Sequence, residues 1–191
     1  MPELGNPNIN IFIVYLCLIL YNIATMIKLE LFAIPLFIQN NFIIEKNLHD
    51  KIINYGNKLE TYDRIISVCN GTQEHKFFDG DIEIKNILNE FIKNNFNTEI
   101  SYQWLNVITE NGFNVPHTHG NTQTMSGVLY LTKENSKIIF YGGFGRKDNI
   151  TEIKPELFDL IIFPSYLTHL VAPSFSKSRR ISLAFNTKEL T

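Results

Sequence analysis

The second half of the chain sorts its residues onto two faces. Between Ile100 and Ile108, Tyr102, Trp104 and Asn106 fall on one side of an extended run, and Leu105 and Val107 on the other. In Arg180–Asn186 the two sides differ more sharply. Ile181, Leu183 and Phe185 make an apolar face, while Arg180, Ser182, Ala184 and Asn186 make a polar or small one. Met125–Thr132, Lys137–Tyr141, Leu157–Phe163 and Leu167–Val171 are further short β-rich runs. Turn residues separate them at Glu110–Gly112, Gly120–Asn121, Glu134–Ser136, Gly142–Gly143, Pro164–Ser165 and Pro173–Ser174. Short strands joined by short turns predict an antiparallel sandwich or barrel.

The pattern upstream is different. Leu29 to Ile44 reads as strand, interrupted by Pro35, which suits an edge. Leu48, Ile52, Tyr55 and Leu59 recur at helical spacing, with Glu45 or Asn47 as the start and Gly56 as a weak point. Cys69 to Gly80 is polar and reads as a loop. Asp81 then caps a second helix that gathers Ile84, Ile87, Leu88, Phe91 and Ile92 on one face. Both helices are expected to cover one side of the sheet. The fold expected is mostly β with flanking helices.

Ile9 to Ala24 is almost wholly apolar but shorter than the roughly 20 residues of a spanning helix. Only Glu3 is charged before it, so the basic start of a secretory signal is missing. A weak anchor, a buried or partner-binding helix, and an extension outside the domain all fit. We take residues 1–25 as an apolar extension and 26–191 as one domain. The 191 residues suffice for one domain with a real core. A net charge of -2 gives no indication of nucleic-acid binding. Two cysteines, Cys17 and Cys69, make no disulfide framework, which points to a reducing, cytoplasmic setting, with membrane anchoring through residues 1–25 as the lesser alternative.

The candidate chemistry lies in Asn114–Gly120 and its echo at Phe163–Pro173 and Arg180–Ser182. His117 and His119 are two apart, so on a strand both imidazoles reach one point. His169 sits in another strand-like run. The polar face of the last strand, together with Ser126 and Tyr130, would make an interior costly to build unless its groups find partners. A buried guanidinium needs an anion. A metal and an acidic small molecule would supply both.

The set His117-Thr-His119, Ser126-Gly-Val-Leu-Tyr-Leu131, Phe163–Pro173 and Arg180-Ile-Ser-Leu-Ala-Phe-Asn186 resembles the Fe(II)/2-oxoglutarate-dependent oxygenases of bacteria and phages. The Trp104–Asn106 strand and Leu31–Pro35 are similar to that group as well. The resemblance runs from about Met26 onward. It implies a double-stranded β-helix (jelly-roll, cupin-like) core with iron at one mouth. It also implies metal ligands His117, His119 and His169, with no catalytic residue beyond them. Arg180 and Ser182 would hold the far carboxylate of 2-oxoglutarate, with Tyr130 and Asn106 as further contacts. The reaction implied is hydroxylation of a small-molecule or peptide substrate, with release of succinate and CO2.

The wider pattern has Asp or Glu where this chain has His119. Asp159 and Glu152 are the nearest acidic substitutes, ranked below His119. Two other readings stand beside the oxygenase: a three-His zinc enzyme and a jelly-roll binding module without turnover. His49 and His75 read as solvated, Trp104 as core, and Gly142–Arg146 as a turn with a possible lid role.

Overall fold

The computed structural model describes residues 26–31, 34–65, 67–76, 82–120, 124–133, 136–142 and 150–190. Expectations for residues 1–25, the Asp81 cap, most of Gly142–Arg146 and parts of several turns lie outside them. Eleven strands form one curled, antiparallel sheet in the order β1-β2-β9-β6-β11-β5-β10-β7-β8, with β3 and β4 attached to β5. The first pair, β1 (Met26–Leu31) and β2 (Ile34–Gln39), is a hairpin rather than one interrupted strand. Pro35 lies opposite Glu30, ahead of the Phe37–Gln39 stretch that pairs with β9 (Leu160–Pro164), so its missing N–H leaves that second ladder whole.

Helix α1 (Lys46–Lys58) follows, then the β3 (Tyr62–Ile65) and β4 (Val68–Glu74) hairpin, then α2 (Ile82–Phe96). Glu45 is the cap of α1, without a side-chain hydrogen bond. The far end of α1 is held by Arg179, whose Nη1 donates to the carbonyls of Gly56 and Leu59. The segment after Cys69 is strand β4, not loop. Its polar residues, of which Thr72 is buried, are held by pairing with β5.

Strand β5 (Thr98–His117) is the spine. Its first half pairs with β11 (Arg180–Glu189) and its second with β10 (Thr168–Val171). The expected turn at Glu110–Gly112 is instead a bend inside this strand. Asn111 has φ 61 there, and Asn70 opposite on β4 has φ 49. A Cβ at Gly112 would lie 2.4 Å from Ile108 and 2.5 Å from the Asn70 carbonyl, so only glycine fits. The paired irregularity turns β5 from one side of the jelly roll to the other. In doing so it carries His117 away from β11 and across the cavity.

The remaining strands are β6 (Met125–Tyr130), β7 (Ile138–Tyr141) and β8 (Ile150–Ile153). Two cores result. Ile181, Leu183 and Phe185 pack with Leu105, Val107 and Leu129 under Leu48, Ile52, Ile84, Leu88 and Ile92 of the helices. Leu36, Tyr130, Ile138, Phe140, Ile161, Phe163 and Leu167 fill the inside of the roll. Among the described residues no helix is long and apolar enough to cross a membrane.

Candidate metal and cosubstrate site

The polar face of β11 looks into the roll, and register with its neighbours turns it into rows. Ser182 lies opposite both Asn106 of β5 and Tyr130 of β6. One step toward the mouth, Ala184 lies between Trp104 and Val128; the next row is Tyr102, Asn186 and Ser126. One step the other way is Arg180, opposite Ile108. These rows and the facing residues of β7, β9 and β10 line a narrow cavity that opens at one end.

Three imidazoles converge on it. His117 and His169 face each other across the β5–β10 ladder, with ring centroids 4.3 Å apart. His119 lies just past the end of β5, where its backbone N–H donates to the Ser165 carbonyl at 2.9 Å. Its ring is 5.1 Å from that of His117 and 5.2 Å from that of His169. One ring nitrogen from each histidine lies within 4.8 Å of the others.

The hydrogen bonds assign tautomers. His117 Nδ1 meets the Val115 carbonyl at 2.7 Å, and His169 Nδ1 meets the Leu167 carbonyl at 2.9 Å. A carbonyl only accepts, so both Nδ1 atoms carry hydrogen and both Nε2 lone pairs are left for a metal. Burial lowers the pKa of all three rings. It brings His119 to about 4 and His169 to about 3, with the His117 charge adding to each; at His117 the Val115 carbonyl opposes the shift. Neutral, convergent and anchored from behind, this donor set suits a divalent iron, zinc or nickel ion. Neither acidic substitute joins it. Glu152 pairs with Lys137, and the Asp159 carboxylate accepts from the Glu156 N–H at 2.8 Å.

Arg180 is 2% exposed at the inner end of the cavity. Its Nη1 donates to Ser136 Oγ at 2.9 Å and its Nη2 to Asn114 Oδ1 at 3.3 Å, both neutral acceptors. These bonds fix the guanidinium plane. Asn106 is also held: its Oδ1 accepts from Trp104 Nε1 at 3.2 Å and from Gln73 Nε2 at 3.1 Å. With the oxygen engaged twice, the Asn106 amide presents its N–H bonds elsewhere. Ser182 and Tyr130 stand beside it in the same row, both buried.

Several residues here were not singled out from sequence. Gln73, Ser136 and Ser165 sat in stretches that read as loop or turn. Trp104 is buried as expected, but it lines the cavity and lies 5.5 Å from the His119 ring. His75 and His49 are not simply solvated. His75 stacks on Tyr102, and His49 Nε2 meets the Leu131 carbonyl at 2.8 Å while its ring packs on Phe158.

A family model described as "Putative 2OG-Fe(II) oxygenase" matches residues 144–186, the stretch that carries His169, Arg180 and Ser182. No curated relative matches the sequence. Among solved structures, HygX from Streptomyces hygroscopicus, with nickel and 2-oxoglutarate bound, aligns at TM-score 0.61 and 9% identity over 81% of this chain and 82% of its own. A prolyl hydroxylase from Trichoplax adhaerens, in complex with a peptide fragment, aligns at TM-score 0.58 and 13% identity over 81% and 83%. A prolyl-4-hydroxylase from Pseudomonas putida aligns at TM-score 0.55 and 14% identity over 81% and 92%. The structural neighbours establish the jelly-roll fold. The family match points to the 2OG-Fe(II) oxygenase class over the stretch that carries His169, Arg180 and Ser182.

Proposed function

We propose that the protein hydroxylates an organic substrate with O2 and 2-oxoglutarate, releasing succinate and CO2. His117, His119 and His169 hold Fe(II) through one ring nitrogen each. Bound there, the iron supplies the O2 activation and C–H oxidation that no side chain in the cavity can perform. The protein's own part is binding, orientation and exclusion of water.

The observation that carries this reading is the depth and fixity of Arg180. It sits two rows inward from Ala184 on the same face of β11, with its plane set by Ser136 and Asn114. A five-carbon dicarboxylate lying along that face has one end at the guanidinium and the other near the histidines. Arg180 grips the far carboxylate, and Ser182 adds a hydroxyl to it. Asn106 and Tyr130, in the Ser182 row, steer the middle of the molecule. Ala184 leaves room between that row and the imidazoles. The apolar side chains Ile138, Val171 and Phe163 keep the cavity dry.

Neutral histidine at position 119 leaves the full ionic charge at the centre until the cosubstrate dianion arrives. Binding of 2-oxoglutarate is therefore more strongly driven by charge than at a site with a carboxylate ligand. A zinc hydrolase would assign no role to a guanidinium fixed at the inner end of the cavity. Peptide and small-molecule substrates both suit the open mouth, as the neighbours solved with a peptide fragment and with hygromycin B illustrate. A free Cys69 fits a reducing, cytoplasmic setting.

The test is turnover after anaerobic reconstitution with Fe(II). Admission of O2, with ascorbate present to take the second oxygen atom as water when no substrate does, should convert 2-oxoglutarate to succinate, read by NMR, and His169→Ala should abolish it. Intact 2-oxoglutarate in the presence of stoichiometric iron and O2 would overturn the proposal.

A further inference from the structure

The cavity does not stop at the histidines. Along the same face of β5, Trp104 and then Tyr102 continue outward from Asn106, and His75, just past the end of β4, lies beside both. The His119 and Trp104 rings are 5.5 Å apart, Trp104 and Tyr102 5.7 Å, and Tyr102 and His75 5.3 Å. A continuous aromatic strip therefore runs from a candidate metal ligand to the surface. Its outer end is open: Tyr102 is 51% exposed.

Two features make this strip a prepared surface rather than a leftover. First, Tyr102 and His75 are nearly parallel, 22° apart, and tied by a 2.8 Å hydrogen bond between Tyr102 Oη and His75 Nδ1. The bond fixes a long, half-exposed side chain that would otherwise sample several rotamers. Second, polar atoms of the strip are engaged within the protein. Tyr102 Oη is bonded to His75, and Trp104 Nε1–H to Asn106 Oδ1. Tyr102 is the exposed end and Trp104 is 6% exposed behind it, so a ligand arriving at the mouth meets the Tyr102 ring first, with the phenol hydroxyl and the indole N–H already bonded. Such a surface recognises flat π-systems by stacking, a mode that needs no directional hydrogen bond.

We infer that His75, Tyr102 and Trp104 form a stacking platform for the substrate, and that the substrate carries a planar aromatic or heteroaromatic ring. This deepens the oxygenase reading and rests on it for the word substrate. The ring would lie at the mouth, with an attached C–H bond reaching past Trp104 toward the three histidines. The platform would then select substrates by shape and π-character, while Arg180 and its neighbours handle the cosubstrate.

Trp104 is the one tryptophan in the chain, so its fluorescence reports on this site alone. The experiment titrates adenosine and benzamide as flat probes, and methyl glucoside and cyclohexanol as non-aromatic ones. It uses the full chain with and without Fe(II) and 2-oxoglutarate, under anaerobic conditions. Fluorescence excited at 295 nm is read alongside saturation-transfer NMR of the probe. Metal content and 2-oxoglutarate binding are measured on the same samples. Flat probes should bind and the other two should not. Tyr102→Leu should weaken binding about tenfold, with Tyr102→Phe retaining most of it. His75→Ala should weaken it to a smaller extent by releasing Tyr102. Circular dichroism identifies any variant that fails to fold; Tyr102→Phe against Tyr102→Thr then provides the comparison.

Equal binding of methyl glucoside, or flat-probe binding unchanged in Tyr102→Leu, would overturn the platform. Loaded protein that binds iron and 2-oxoglutarate but no flat probe would also overturn it and leave the oxygenase reading standing. Protein that binds flat probes but neither iron nor 2-oxoglutarate would do the reverse.

Discussion

His117 and His169 are direct cross-strand partners, on β5 and β10, with their ring centroids 4.3 Å apart. They lie 52 residues apart in sequence, and the ladder between the two strands brings them into register. Each ring is also tied to the carbonyl two residues before it, at Val115 and Leu167. A strand pair thus presents two preset nitrogens without help from any loop. His169→Ala should remove metal binding, measured by elemental analysis after anaerobic loading, while circular dichroism of the β-rich fold stays unchanged. His119→Ala should weaken binding as well, and His119→Asp should retain it, since a carboxylate there completes an iron-binding set. Metal retained in full by His169→Ala would exclude it as a ligand.

How much of this was legible in the sequence depends on what each signal encodes. Alternation along β11 assigned Arg180 and Ser182 to one face and Ile181 and Leu183 to the other, and the structure has both faces so. The strand-like runs from Met125 onward are present because alternating β-rich segments have few other ways to bury one side. The bend in β5 was not legible. Glu110-Asn-Gly112 has the composition of a hairpin turn, and only pairing of the same strand with both β11 and β10 shows it to be a corner. Strand β4 was missed because its polar residues carry no hydrophobic period; its ladder with β5 outweighs their composition. The supporting residues Gln73 and Ser136 act on Asn106 and Arg180 across the fold, and no local pattern marks such contacts.

Arg180→Lys tests the anion grip. Lysine keeps the charge but loses the fork and the two bonds that set its plane, to Ser136 and Asn114. The apparent KM for 2-oxoglutarate should rise about tenfold or more. Iron binding should change little, because the three converging ring nitrogens come from His117, His119 and His169 and not from this arginine. Equal loss of iron and 2-oxoglutarate binding would assign the arginine to the fold instead.

Acid should destabilise the metal-free protein in a defined window. His119 and His169 are held neutral, with pKa values of about 4 and about 3 against an ordinary 6.5. Between those values the unfolded chain binds protons that the folded one refuses. Stability is therefore full above pH 6.5 and falls as pH drops through the window toward 3. Thermal melts from pH 7.5 to 4 should show a declining Tm, and replacing His169 by Gln should flatten the decline. A Tm independent of pH over that range would refute the burial of these rings.

Gly127 bears on the core between sheet and helices. A Cβ there would sit 2.2 Å from the ring of Phe185, its partner across β6 and β11. Phe185 is fully buried, so its ring must shift against packed neighbours to admit the methyl. Gly127→Ala should cost about 1–3 kcal/mol by overpacking, seen as a lower Tm. The double variant Gly127→Ala with Phe185→Leu should recover part of the loss, since leucine frees the space the new methyl needs.

The third imidazole is supported differently from the other two. His119 Nδ1 lies 3.5 Å from the Asn186 amide, which in turn meets Ser126 Oγ at 2.8 Å, and Ser126 meets Ser165 Oγ at 3.0 Å. For His119 to offer Nε2 to a metal, its Nδ1 must carry hydrogen, and Asn186 must turn its oxygen toward that N–H. The Asn186 amide nitrogen then donates to Ser126 Oγ, whose own hydrogen passes to Ser165. The chain of three side chains can satisfy this order without moving a heavy atom other than the exchanged amide ends. Asn186→Leu removes the acceptor and should lower metal affinity about 10–100-fold. Asn186→Asp supplies a charged acceptor and should raise affinity above the parent protein. Chelator competition measures both, and identical affinity in all three proteins would show that His119 takes no support from this chain.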